Sequence, residues 1–230
     1  LLVMARNHLN HRVETVGFSF WGVMEPTPHG TEVLVIHVEP NDRQVGTLVM
    51  AECSQEDFEA AVSSFAPLQG IDTSHEGIIP GRYGELWING VRIEQDGNLN
   101  PLNLHFAYSL KDRSLMNRDR SQVNVFGTML RIRRIIAEQP EEFVREYVAQ
   151  ALSGNTCDDI QKGPIFNYTP IESVLMWRRI IAEAHKADRK KLVITSHNPD
   201  VDKEALYRGF RLIQLPDAWK SELEYLGFQR

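Results

Sequence analysis

Lys191-Leu192-Val193-Ile194-Thr195 is the stretch that decides the fold of this chain. Three apolar residues, two of them β-branched and bounded by polar positions, read as a short buried strand. Downstream, Val201 to Arg208 reads as a helix, Phe210 to Leu215 as a second strand and Pro216 to Leu226 as a second helix. A strand-helix-strand-helix alternation implies parallel pairing, because the helix carries the chain back across the sheet before the next strand begins. The last forty residues therefore predict a small parallel α/β unit.

Upstream the pattern changes. Glu172 to Lys186 predicts a helix with Val174, Trp177, Ile181 and Ala184 as its apolar stripe. Residues 155 to 170 read as irregular, and Ser153-Gly154-Asn155 stops a helix over Glu141 to Leu152. Another helix spans Gln122 to Gln139 and ends at Pro140. His105 to Ser109 predicts a strand with Phe106 and Tyr108 on one face, and Glu85 to Glu94 a hairpin turning at Asn89-Gly90. Residues 67 to 81 read as a long loop. Ser54 opens a helix whose Phe58, Ala61, Val62 and Phe65 recur at helical spacing, with Asp57 placed for reciprocal capping. Nearer the start, Val13 to Phe20 predicts a strand turning near Gly22, Thr31 to Val38 a buried strand after the Pro26 to Gly30 turn, and Gln44 to Glu52 another strand. The fold class expected is α+β: a mixed β-sheet packed by helices, followed by a small parallel α/β C-terminal unit. A division between residues 1–153 and 154–230 is expected from the irregular stretch.

The 230 residues carry 25 Lys and Arg against 31 Asp and Glu, a formal charge of -6 and a pI near 5.8. That balance argues against a general nucleic-acid coat but leaves room for a local basic patch. Apolar runs such as Val33-Leu34-Val35-Ile36 are too short to span a bilayer, and no stretch reads as a signal peptide. Two cysteines, Cys53 and Cys157, far apart and without metal-ligand spacing, point to a reduced cytoplasmic setting. The sequence opens in the apolar stretch Leu1-Leu2-Val3-Met4-Ala5, read as the end of a helix, which suggests a fragment or a trimmed chain.

Ser114-Leu115-Met116-Asn117-Arg118-Asp119-Arg120-Ser121 is the segment richest in chemistry. Two arginines and an aspartate crowd a helix start, where Asn117 or Asp119 can cap the free amides and guanidinium groups can grip an anion. Capping plus surface ion pairs explains the same residues. His8 and His11 could seat a metal or simply mark a solvated helix end. Ser196-His197-Asn198-Pro199-Asp200 follows the Lys191 strand, where open α/β sheets bind ligands, and it also reads as a turn. Arg82 and Arg92 near two glycines offer phosphate contacts or a shaped loop. Arg131, Arg133 and Arg134, with Trp177-Arg178-Arg179, make a basic face for nucleic acid or a solvated helix surface. No serine lies in a nucleophile elbow, and Cys157 has no basic neighbour to activate it.

Leu115-Met116-Asn117-Arg118-Asp119-Arg120, followed by a helix, resembles the catalytic loop in the middle domain of the ninety-kilodalton heat-shock chaperone. The wider pattern, with Gly30-Thr31-Glu32-Val33-Leu34-Val35 as a closing strand of a nucleotide domain, resembles bacterial and phage ATP-binding proteins of the GHKL superfamily. This resemblance implies that Arg120 reaches the γ-phosphate of ATP, that Arg118 assists and that Asn117 fixes the loop. The family's acidic residue after the arginine is replaced here by Ser121. The Asn-bearing helix for Mg²⁺, the Asp-x-Gly-x-Gly motif and the glycine-rich lid do not occur in the chain.

The function expected is thus the transducer, or middle, region of a GHKL-type ATPase, which couples hydrolysis to conformational change. ATP and Mg²⁺ would be held by an upstream nucleotide-binding domain, and the chain alone would be inactive. A second copy of the chain and, through the Arg-rich helices, nucleic acid are further candidate partners; a membrane is not. The alternative is a non-catalytic interaction module, phage or mobile-element encoded, binding protein or nucleic acid. A small-molecule enzyme built on the Ser196 to Asp200 loop is a third reading.

Overall fold

The computed structural model describes residues 10–93, 102–116, 123–188, 191–196 and 198–229. The chain folds as two compact units, Leu1–Val62 and Ser63–Arg230.

The first unit is built on a four-stranded antiparallel sheet in the order β3-β2-β1-β4, with β1 His11–Thr15, β2 Phe18–Pro26, β3 Glu32–Pro40 and β4 Leu48–Ala51. Thr15 pairs with Phe18, so the first hairpin closes over Val16 and Gly17. Gly17 takes φ +84°, which suits a tight turn. The turn expected near Gly22 is therefore five residues earlier, and Gly22 lies inside β2. Thr27 and Gly30 close the next turn, Thr27 N–H donating to the Thr31 carbonyl at 2.7 Å.

The composition of β3 predicts burial, and the strand is open: Val33, Ile36 and Val38 are 45%, 53% and 64% exposed. The physical reason is that a strand is buried only when a second layer covers it. The helix of this unit, α1 (Gln55–Ser63), buries none of its residues. Its start is the expected reciprocal cap: Ser54 Oγ accepts from Asp57 N–H at 3.0 Å and donates to the Asp57 carboxylate at 2.7 Å.

The second unit holds a mixed sheet in the order β5-β8-β6-β7, formed by β5 Gly77–Tyr83, β6 Leu86–Ile88, β7 Val91–Ile93 and β8 Phe106–Leu110. The hairpin turn is at Asn89 and Gly90, with φ 52° and 78°, as the Asn-Gly pair predicts. β8 runs parallel to β6 and antiparallel to β5. The loop expected over residues 67 to 81 is interrupted by β5, an edge strand whose register shifts between Ile78 and Tyr83. An edge with such an irregularity tolerates Pro80 and Gly81, the two residues that read as loop.

Helices α2 (Val125–Ala137), α3 (Glu141–Leu152), α4 (Asp158–Lys162) and α5 (Ile171–Ala184) pack against this sheet. The chain then forms β9 (Leu192–Ile194), α6 (Pro199–Tyr207), β10 (Arg211–Ile213) and α7 (Lys220–Tyr225). β9 and β10 pair in parallel, as their alternation with helices predicts. The protein is thus α+β, with a mixed sheet packed by helices and a small parallel α/β unit at its C-terminal end.

One hydrophobic cluster runs from Leu86 on β6 to Phe228, and it includes the fully buried Tyr147, Trp177 and Trp219. It draws on both sides of residue 153. The division into compact units consequently falls at Val62–Ser63 and not at the boundary expected from the irregular stretch. That stretch contains α4, whose Ile160 is fully buried in the shared core.

Candidate functional site

Asn117, Arg118 and Arg120, the residues singled out for chemistry, lie outside the described residues. Their flanks are described. Met116 and Val123 form an antiparallel bridge, and Asn124 N–H donates to the Leu115 carbonyl at 2.7 Å. Asn124 also caps α2, its side-chain oxygen accepting from Gly127 N–H at 3.0 Å. The cap expected at Asn117 or Asp119 is therefore supplied by Asn124, because the helix begins at Val125.

The N-terminal flank is tied equally closely. Asp112 accepts from the Ser114 amide and hydroxyl at 2.9 and 2.7 Å and from Arg131 on α2 at 3.3 Å. These donors hold its carboxyl below the usual range, the Ser114 bonds most strongly. Arg131 also lies 3.6 Å from Glu76. The first turns of α2, through Val125, Phe126 and Met129, line a cavity of about 600 Å³ with Asp158 and Lys162 on its wall. Phe126 is 80% exposed there.

Three other arginines of the expected basic face, Arg133, Arg178 and Arg179, are engaged within the chain, while Arg134 on α2 is exposed. Arg133 donates to the Gly163 and Pro164 carbonyls at 2.7 and 3.2 Å. Arg178 donates to the Gly227 carbonyl at 2.9 Å, and Arg179 bonds Glu141, which also binds Arg145. Trp177 is fully buried, its indole N–H donating to the Ala137 carbonyl at 3.1 Å. Arg82 and Arg92 share the single Glu85 carboxylate, at 3.0 and 3.9 Å.

His11 stands on a strand and not on a helix end. Its Nε2 accepts from Gly22 N–H at 3.1 Å, which takes the lone pair a metal would need. His8 and His197 lie outside the described residues. Around the loop after β9, Asp202 accepts from Ser196 N–H and the Thr195 hydroxyl at 2.7 and 2.8 Å. Asn198 caps α6 through Asp200 N–H at 3.0 Å, so these residues serve as turn and helix cap. His185 Nε2 accepts from Gln214 N–H at 3.1 Å, pinning the end of α5 to the segment after β10. Burial, together with the charges of Asp159 and Asp158, raises the Cys157 thiol and so disfavours its thiolate. Among the described residues no group of three His, Cys, Asp or Glu could hold a metal ion, and no helix is long and apolar enough to cross a membrane.

Asp159 is the ionisable group that sequence reasoning missed. It is fully buried, and its carboxylate accepts from His105 N–H, Phe106 N–H and the Tyr108 hydroxyl at 2.8, 3.1 and 2.8 Å. Desolvation raises its carboxyl above the usual range, against the opposing pull of those donors. Its partners lie more than fifty positions earlier, so no local spacing signals them. With every oxygen engaged and no access to solvent, Asp159 ties α4 to β8 and is not poised for proton transfer. No protein-family model, no curated protein and no solved structure matches the chain.

Proposed function

We propose that the chain is the transducer, or middle, region of a GHKL-type ATPase, in which Arg120 addresses the ATP γ-phosphate. Arg118 assists and Asn117 fixes the loop. One observation carries the reading: both ends of residues 117–122 are tied, by the Met116–Val123 bridge and by Asn124, at the start of α2. Fixed flanks lower the entropic cost of placing a guanidinium group of that segment against a phosphate. Phosphoryl transfer is accelerated chiefly by such positioned charge.

In this proposal the nucleotide and its Mg²⁺ belong to an upstream nucleotide-binding domain. A cytoplasmic setting is part of the same proposal. The test is ATP turnover and ATP binding by the gene product that contains these residues. Arg120→Ala should abolish turnover while leaving ATP affinity and thermal stability near wild type. Wild-type turnover in that variant would remove the assignment.

The alternative, a non-catalytic interaction module, is favoured by a different observation: the uncovered apolar face of the first sheet. Its nucleic-acid form gains little from Arg131, Arg133, Arg178 and Arg179, which are bonded within the chain, and keeps the exposed Arg134 on α2. Turnover that is absent from the wild-type gene product as well would favour the module.

A further inference from the structure

The register of the first sheet gathers nearly all of its charged side chains on one face. Val13 pairs with Phe20 and Val49, Phe20 with Val38, Gly22 with Ile36 and Met24 with Leu34, so these residues share one face. The other face carries Arg12, Glu14, Trp21, Glu25, His37 and Glu39 beside the apolar Val23, Val33, Val35, Leu48 and Met50. There Trp21 stacks on His37 with ring centroids 5.2 Å apart, Arg12 lies 5.6 Å over Trp21, and Arg12 bonds Glu39. Formal charge is thereby concentrated on that side. Among the described strand residues of the apolar side, Glu32 at the Pro26 corner is the only one with a formal charge.

That apolar face is open. Phe18, Ile36, Val38 and Val49 are each exposed over 45% or more of their surface. A sheet with one largely apolar face is stable only when a second layer covers it, and contiguous exposed apolar surface of this kind marks an association site.

We propose that this face is the interface with a second copy of the chain, the two sheets stacking face to face about a two-fold axis. Two features select that occupant. The first is complementarity: the face is almost uncharged, so it needs a partner that is likewise uncharged, and another copy supplies one without bringing clusters of like charge together. The second is size. β2 and β3 have nine residues each and β1 and β4 five and four. At about 3.3 Å per residue and about 4.8 Å between strands, that makes roughly 400 Å² in plan, before side-chain relief is added. Stable dimers take roughly 600–800 Å² of accessible surface from each partner, a range the relief of Phe, Ile and Val side chains brings within reach. This inference is independent of the arginine segment and stands or falls without it.

The experiment is sedimentation equilibrium of the 230-residue chain over a wide concentration range, repeated with Ile36→Lys and with Val23→Lys. Val23 lies on the opposite face of β2 and serves as the control. A reversible dimer is expected, its dissociation constant raised on the order of a hundredfold by Ile36→Lys and unchanged by Val23→Lys. A wild-type chain that is monomeric throughout, or a dimer indifferent to Ile36→Lys, overturns the proposal. Should Ile36→Lys fail to fold by circular dichroism, a photo-crosslinking residue at Val38 decides the matter in a mixture of isotopically light and heavy chains. Light-to-heavy crosslinks within residues 11–51 support the dimer. Crosslinks to residues 63–230 of the same chain, or none between chains, overturn it.

Discussion

The Tyr108 hydroxyl donates to the Asp159 carboxylate at 2.8 Å, joining the central strand β8 to the short helix α4 across fifty-one positions of sequence. Tyr108 is itself fully buried, and its hydroxyl is held far from ionisation by burial and by that neighbouring carboxylate. The pair is one corner of a larger knot: Asp159 also accepts two β8-side amides, and the Tyr147 hydroxyl of α3 donates to the Asp159 carbonyl. A helix of five residues has little stability of its own, so these bonds decide where α4 sits.

Removing that carboxylate should be costly. Asp159→Ala leaves buried donors without an acceptor and is expected to lower unfolding free energy by about 3–5 kcal/mol. Urea denaturation checks the value. The pH dependence has a defined sign. The folded-state carboxyl titrates above its unfolded value, so the native state binds the extra proton between the two. This group's contribution is therefore most favourable below the ordinary carboxylate range and declines as pH rises through its raised folded value. In Asp159→Asn that decline should vanish from the stability profile. A wild-type and an Asn profile of identical slope over this window would contradict the assignment.

Gly163 gives a second prediction. It takes φ +69°, and a Cβ there would stand 2.5 Å from Cδ1 and 2.7 Å from Cε2 of the buried Trp219 ring. The same ring donates its N–H to the Ile160 carbonyl at 2.9 Å, and Arg133 clamps the Gly163 carbonyl, so neither partner can retreat. Gly163→Ala should cost about 2–4 kcal/mol from left-handed backbone strain and overpacking together. Differential scanning calorimetry should show a fall in Tm of roughly 5–15 °C.

Asn124 tests the anchoring of the arginine segment apart from its chemistry. Its side chain is the cap of α2, and Asn124→Ala should cost about 1 kcal/mol by chemical denaturation. In the intact gene product it should also reduce turnover less than Arg120→Ala does, because it loosens the segment without removing the guanidinium. A turnover loss equal to that of Arg120→Ala would assign Asn124 a larger part in the chemistry.

Much of the fold is legible along the chain because it depends on neighbours in sequence. Apolar periodicity locates α5, Pro140 and Ser153-Gly154-Asn155 mark where α2 and α3 stop, Asn89-Gly90 specifies its hairpin turn, and Ser54 with Asp57 writes the start of α1. The alternation after Lys191 is enough to predict the parallel pair β9 and β10. These are local signals, set by side-chain spacing and backbone preference.

What only the tertiary structure decided depends on partners distant in sequence. Asp159 looks like one more surface carboxylate until β8 is laid against α4. Arg133 and Arg178 look like a basic face until the Gly163 and Gly227 carbonyls arrive beneath them. Thr31 to Val38 has the composition of a buried strand, yet composition states only that a residue can be buried, not that anything lies above it. Burial is a property of the layer opposite, and in the first unit that layer is not furnished by its own described strands or by α1.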